Sequence, residues 1–130
     1  MINELNQLKA HLESPNRFII LAHKSPDGDA VGSAAAFFHF LSNLSCKVQV
    51  VLPDLPSDTL LPFMANTDCL YFSEQPDVVK TLFKESSVLI CLDFNAPSRV
   101  GDMQPLIEGF LGVKVMIDHH PEPEAFADLM

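Results

Sequence analysis

The sequence is poor in cysteine, in positive charge and in long hydrophobic runs, and each shortage excludes a class of protein. Its three cysteines, Cys46, Cys69 and Cys91, are widely spaced and form no C-x-x-C pair, which argues against a disulfide scaffold or a zinc ribbon. With 8 basic and 17 acidic residues, the formal net charge of -9 argues against duplex DNA as a partner. No apolar run approaches the roughly 20 residues of a membrane helix, and no signal pattern opens the chain. Unpaired cysteines then predict a cytoplasmic protein with no membrane partner.

Apolar runs alternate with helical patterns along the chain. Hydrophobic residues make up 48% of the 130 residues, which is enough to build the core of one domain. The predicted strands are 18–22, 47–52, 87–92 and 114–117, with a further short strand possible at 69–72. The predicted helices are 2–13, 29–43, 76–85 and 103–110, with a short one within 60–66. This alternation predicts an α/β fold: a doubly wound parallel sheet with helices on both faces.

Acidic and imidazole side chains follow the predicted strands. They are, in chain order, His23, Asp27, Asp29, Asp54, Asp93, Asp118, His119 and His120. Because open parallel sheets bind ligands outside the carboxyl ends of their strands, we expect these groups to share one edge. Clustered carboxylates stay ionised together only if a cation joins them. Carboxylate and imidazole without thiolate favour Mn²⁺ or Mg²⁺ over structural zinc.

A site of this kind has a recognisable chemistry. Two ions about 3.5–4 Å apart can clamp a phosphoryl group and activate a water molecule. Asp93, at the end of a buried strand, is the natural bridging ligand. His119 and His120 are adjacent, so we expect one to bind metal and the other to face the substrate. Asp118 could orient an imidazole from behind, and Arg99 could hold a phosphate through its planar guanidinium group.

Each motif also has a plainer interpretation when it is taken alone. Asp27 and Gly28 could form a simple turn, and Asp29 could cap a helix. Asp54 fits a loop residue better than a ligand, and Arg99 could form a structural salt bridge. Acidic strand ends also suit a receiver-type domain with a single Mg²⁺, although such sites rarely need imidazole. The combination of these residues favours the catalytic interpretation.

Three segments resemble the first three motifs of the DHH phosphoesterases. They are His23-Lys-Ser-Pro-Asp27-Gly-Asp29-Ala-Val-Gly-Ser33, Leu92-Asp93 with Arg99 and Gly101 just after it, and Asp118-His119-His120. The resemblance covers nearly the whole chain, and the motifs occur in the family's order. The first segment is most similar to the branch that contains oligoribonucleases and 3′-phosphoadenosine-5′-phosphate phosphatases. Cyclic-dinucleotide phosphodiesterases and manganese inorganic pyrophosphatases belong to the same family.

The resemblance implies a two-metal site and a class of substrate. His23, Asp27 and Asp93 would hold one Mn²⁺, and Asp29, Asp93 and His119 would hold the second. His120 would contact the scissile phosphate. The implied substrates are short single-stranded oligonucleotides or 3′,5′-bisphosphonucleosides, with a cyclic dinucleotide as the alternative. Mg²⁺ could replace Mn²⁺.

The resemblance also implies more chain than these residues supply. The family has a fourth motif, a strand-end Asp that completes the second metal site, and a C-terminal DHHA1 domain that grips the substrate. Asp128 lies too close in sequence to His120 to be that fourth ligand. We therefore expect residues 1–130 to be the N-terminal portion of a DHH catalytic domain. The alternative is a non-catalytic fragment that binds metal weakly, and an uncovered sheet edge makes a homodimer possible.

Overall fold

A computed structural model describes residues 17–23, 28–44, 46–92 and 97–117 of the chain. The predicted first helix, residues 2–13, lies outside the described residues. Within the described ranges, no helix is both long enough and apolar enough to cross a membrane. The strands and helices below all belong to this part of the chain.

The described residues form one parallel sheet. Its strands are β1 (Arg17–Leu21), β2 (Lys47–Leu52), β3 (Cys69–Tyr71), β4 (Val88–Leu92) and β5 (Val113–Ile117). They pair in the order β3-β2-β1-β4-β5, and every pair is parallel. The central strand β4 is apolar along its whole length, and β1 is apolar after Arg17, because both of their faces are covered, as in other parallel sheets. All five residues of β4 are buried, for example.

Helices connect the strands on both faces of the sheet. They are α1 (Gly28–Asn43), α2 (Pro76–Glu85) and α3 (Gln104–Glu108), with 3₁₀ helices at Leu61–Met64 and Pro97–Met103. Pro76 suits the first turn of α2 because a residue there needs no intrahelical N–H donor. At the other end of α2, the Ser86 hydroxyl donates to the Leu82 carbonyl at 2.7 Å.

Two apolar layers flank the sheet. The first lies between α1 and the sheet, where Val31, Ala34 and Leu41 of α1 pack with Ile20, Val50 and Ile90. The second lies under α2 and α3, where Val79, Phe83 and Ile107 pack with Leu21, Leu89 and Cys91. Successive residues of each strand alternate between the two layers, as side chains on a pleated strand must. The predicted doubly wound α/β architecture is confirmed.

Most predicted elements are confirmed, with three differences in detail. The segment predicted as a loop around Pro97 and Arg99 is instead a 3₁₀ helix, which kinks at Gly101 where φ is 59°. The short helix predicted within 60–66 is a 3₁₀ helix of four residues, with Pro62 in its first turn. The helix predicted at 103–110 is limited to α3. The strand considered possible at 69–72 is present as β3.

The strand order has one reversal. The chain steps outward from β1 to β2 and β3, and then returns to the other side of β1 to form β4 and β5. β1 and β4 are therefore neighbours whose connections leave in opposite directions. Such a reversal opens a crevice at the carboxyl ends of the two strands, and this is where open α/β sheets bind ligands.

We expect Gly112→Ala to destabilise the protein. The Val113 N–H donates to the Ser87 carbonyl at 2.9 Å, which holds the chain before β5 against the chain before β4. A Cβ on Gly112 would overlap the Ser87 carbonyl group and lie 2.8 Å from the Phe110 ring. Backbone must then shift, at a cost of about 1–3 kcal/mol in the free energy of unfolding, measured by urea denaturation.

Gly32→Ala is the matched control. A Cβ on Gly32 meets nothing within 4 Å, and Gly32 lies inside α1. Alanine is the better helix former, so the free energy of unfolding of this variant should rise by about 0.5–1 kcal/mol. Equal stabilities for the two variants would contradict the close packing of Gly112 on Ser87.

Candidate functional site

The carboxyl ends of three neighbouring strands lie level with one another. Leu21 of β1 pairs with Cys91 of β4, and Leu92 of β4 pairs with Ile117 of β5. In the sequence, His23 follows Leu21 by two residues, Asp93 follows Leu92, and Asp118 follows Ile117. The pairing register therefore brings together the strand ends that lead into the three predicted motifs.

His23 lies at the centre of this edge. It follows the middle strand of the sheet and is buried, with 6% of its surface exposed. An imidazole that is buried beside a ligand crevice is well placed to serve as a metal ligand. This position agrees with the predicted role of His23, and the role itself remains a prediction.

Asp29 lies in the first turn of α1, on an exposed surface. A carboxylate at this position is stabilised by the positive end of the helix dipole, whether or not it also binds a cation. Since α1 begins within seven residues of the end of β1, its first turn lies close to the carboxyl edge of the sheet. The role of Asp29 as a metal ligand stays a prediction.

The other predicted site residues cannot be placed. Asp27, Asp93, Asp118, His119 and His120 lie outside the described residues, as does the side chain of Arg99, whose backbone belongs to the 3₁₀ helix Pro97–Met103. Within the described ranges, no group of three or more His, Cys, Asp or Glu side chains is close enough to hold a metal ion. His23 and Asp29 therefore do not form a described site by themselves.

Two of the cysteines have raised pKa values. Burial raises the pKa of the Cys91 thiol from its ordinary 9.0 to about 12, and that of Cys69 also to about 12. Without a metal ion, burial therefore favours the neutral thiol of both residues over the thiolate. Cys91 packs into the apolar layer under α2 and α3. The predicted ligands His23 and Asp29 offer nitrogen and oxygen, which suit Mn²⁺ or Mg²⁺.

An open cavity of about 610 Å³, which no sequence pattern predicts, lies beside this edge. It is lined by residues that follow β2 and β3 and by the kinked segment that follows β4. These include Pro53, Asp54, Phe72, Ser73, Val100, Gly101 and Asp102. Asp54 had been interpreted as a loop residue, and here it forms part of the cavity wall. A strand-end acidic residue after the second strand was the available signal.

A second, smaller cavity of about 350 Å³ lies at the opposite edge of the sheet. It includes Ser86 and Gly112, which precede β4 and β5, and Lys80 and Lys84 of α2. It therefore does not communicate with the carboxyl ends of the strands. The candidate site is the carboxyl edge.

Comparison with known proteins identifies a family for this chain. The profile of the DHH family, N-terminal domain, matches residues 17–129. This range includes all three motif segments. The match covers most of the chain.

Curated relatives and a solved structure agree with that match. The chain is 27% identical to a probable bifunctional oligoribonuclease and PAP phosphatase, NrnA, of Streptococcus mutans, over 92% of this chain and 34% of that protein. It is 30% identical to a probable manganese-dependent inorganic pyrophosphatase of Lactobacillus delbrueckii subsp. bulgaricus, over 78% of this chain and 30% of that protein. The crystal structure of an exopolyphosphatase-related protein from Bacteroides fragilis superimposes with a TM-score of 0.94 at 32% identity, over 99% of this chain and 38% of that one. The chain thus spans about a third of the length of the proteins it matches.

The raised pKa of Cys91 makes an alkaline loss of stability testable. The thiol of the unfolded chain titrates near 9.0 and that of the folded chain near 12, so the unfolded state loses its proton first. Stability from this group is present below pH 9 and is lost as the pH rises towards 12. From pH 8 to pH 10 the free energy of unfolding of the wild type should fall by about 1 kcal/mol more than that of Cys91→Ala, measured by urea denaturation. Equal losses would contradict the burial of the thiol.

Proposed function

The chain belongs to the DHH family of phosphoesterases, and from that premise we propose that it forms the metal-binding part of a manganese-dependent phosphoesterase acting on short ribonucleotides. The observation that carries this proposal is the register of β1, β4 and β5, whose carboxyl ends lie level and lead into the three motifs. A two-metal site needs ligands from several separate segments of the chain to meet. A parallel sheet meets that need at its carboxyl edge.

We assign the ligands as the motifs suggest. His23, Asp27 and Asp93 would hold one Mn²⁺, while Asp29, Asp93 and His119 would hold the second. Asp93 would thus be a ligand shared by both ions. Two relatives that are described as manganese-dependent support the choice of metal, and the neutral thiols of Cys69 and Cys91 are consistent with it. Mg²⁺ has the same preference for oxygen ligands and could substitute.

The remaining motif residues act on the phosphate. Bound Mn²⁺ supplies an activated water and offsets the charge of the phosphoryl group. His120 contacts the scissile phosphate, and Arg99 holds a phosphate oxygen pair through its planar fork. Asp118 accepts a hydrogen bond from the imidazole nitrogen that does not bind the metal, which fixes the orientation of the ring. A chain with a net charge of -9 needs such local positive charge before it can accept an anionic substrate.

The substrate class is proposed from the relatives and the opening motif together. The relatives' names concern an oligoribonuclease and PAP phosphatase, inorganic pyrophosphatases and an exopolyphosphatase-related protein. Their common element is chemistry at phosphorus, and the opening motif with Gly32 and Ser33 favours the first of them. We propose short oligoribonucleotides or 3′,5′-bisphosphonucleosides as substrates. A cyclic-dinucleotide phosphodiesterase is the alternative within the family.

A second candidate function is a catalytically incomplete unit. The chain spans 34% of the length of the NrnA relative. On this proposal the chain binds metal weakly, and turnover needs residues supplied by further sequence.

The three cysteines form no disulfide, which fits a reducing compartment. We therefore propose that the protein is cytoplasmic.

We expect Asp93→Ala to abolish the binding of both metal ions. A bridging carboxylate contributes to each ion, so its loss should disrupt the pair and not one site alone. Calorimetric titration with Mn²⁺ measures this, followed by hydrolysis of a short oligoribonucleotide. Asp68→Ala is the control, because Asp68 is exposed and precedes β3 at the opposite edge of the sheet. Retained hydrolysis in Asp93→Ala would contradict the assigned site.

His23→Ala should lower the affinity of the protein for one of the two Mn²⁺ ions and leave the fold intact. Loss of one ligand should reduce the affinity for that ion by at least about tenfold. Mutation of residues that only hydrogen-bond to metal ligands already lowers metal affinity by about 10–100-fold. The measurement is the same calorimetric titration, with the urea midpoint as a check on folding. His39→Ala is the matched control, since His39 lies exposed on α1. Two ions with unchanged affinity in His23→Ala would exclude the imidazole as a ligand.

A further inference from the structure

We propose that the smaller cavity, at the amino ends of the strands, is a second ligand site that binds a small aromatic anion. This amino-edge cavity has a volume of about 350 Å³ and lies between α2 and the segment 105–112, which leads from α3 into β5. Its lining combines apolar side chains with two lysines. The inference is independent of the proposed phosphoesterase site, which lies at the opposite edge of the sheet.

The base of the amino-edge cavity is aromatic and firmly held. Phe83 of α2 and Phe110, which follows α3, are both buried in the second apolar layer. Their rings meet edge to face, with centroids 6.0 Å apart. Aromatic rings attract one another in this geometry and in offset stacks, so the pair offers a further ring a place to pack. The base of the cavity therefore favours a flat aromatic ligand.

The upper wall leaves apolar surface in water. Leu111 is 100% exposed and lines the cavity, and Leu106 of α3 is half-buried beside it. A single exposed leucine is ordinary, but here it borders a cavity that has an aromatic base. Contact with a ligand would remove this surface from water, which favours binding. The apolar part of the ligand would thus be held from below and from one side.

The charge of the rim selects an anion. Lys80 and Lys84 are exposed, and they are the only charged side chains among the described residues that line the cavity. They lie four residues apart on α2, so they project from successive turns on the same side of the helix. In the part of the chain that the structure describes, neither lysine forms a hydrogen bond or an ion pair, and the neighbouring Glu85 pairs with Arg17 at 2.9 Å. In a chain with a net charge of -9, this is a local site of positive charge.

The volume limits the size of the ligand. Small-molecule sites usually measure about 300–1,000 Å³, and the amino-edge cavity lies at the lower end of that range. It can hold one small ring system with an acidic group at the rim. The ligand class is therefore a small aromatic anion, such as an aromatic carboxylate.

Calorimetric titration with 2-naphthoate and with its neutral analogue 2-naphthalenemethanol tests the proposal. We expect 2-naphthoate to bind about fivefold more tightly, since contacts between exposed charges are individually weak. The excess should shrink as the salt concentration rises. The double variant Lys80→Gln, Lys84→Gln should bind the two probes equally. Leu111→Ala should weaken both probes to a similar extent and preserve their ratio, because the apolar contact and not the charge is lost.

Lys47→Gln is the matched control, because Lys47 is an exposed lysine at the amino end of β2 and does not line the cavity. It should preserve the preference for 2-naphthoate. The affinity should also be the same with and without Mn²⁺, since the proposed metal site lies at the other edge. No binding of 2-naphthoate, equal affinity of the wild type for the two probes, a requirement for Mn²⁺, or a preference that survives in a folded double variant would each overturn the proposal. Failure of the proposed function would appear separately, as the absence of Mn²⁺ binding in the wild type.

Discussion

The parallel pairing of β1 with β4 is the contact on which the site depends. Paired residues of these strands, such as Phe18 and Val88, lie 70 residues apart in the sequence. Their pairing sets His23 beside the end of the fully buried strand that leads into Asp93. β5 then pairs on the far side of β4 and brings the strand end that precedes the third motif to the same edge. Burial of β1 and β4 on both faces stabilises this register, because a shift by one residue would move each side chain to the wrong apolar layer.

Negative charge has to be reconciled with a phosphate substrate at this edge. The chain carries a net charge of -9, and the proposed ligands include Asp27, Asp29 and Asp93. A pair of divalent cations reverses the local charge and makes phosphate binding favourable.

Much of the fold could be predicted from local patterns. The boundaries of β2 and α2 agree with the prediction at both ends, because a continuous apolar run and a proline-initiated amphipathic segment are strong local signals. The segment after Asp93 was predicted as a loop, because Pro97 and Gly101 are typical of irregular chain. It contains a 3₁₀ helix, which the same residues fit equally well. The cavity was not predicted, because its walls come from three segments that are separated in sequence. The position of Asp54 just after β2 was the one local signal, and it fits an ordinary loop residue equally well.

The sequence by itself determined which side chains follow which strands, and hence the family, the oxygen and nitrogen character of the donors and the expected metal. These properties follow from short motifs that can be recognised locally. The tertiary structure decided that β4 lies beside β1, that the ends of β1, β4 and β5 are level, and that Asp54 and Phe72 face the segment around Gly101 across a cavity. Strand order and register depend on which distant apolar surfaces pack together, and this is a property of the whole folded chain.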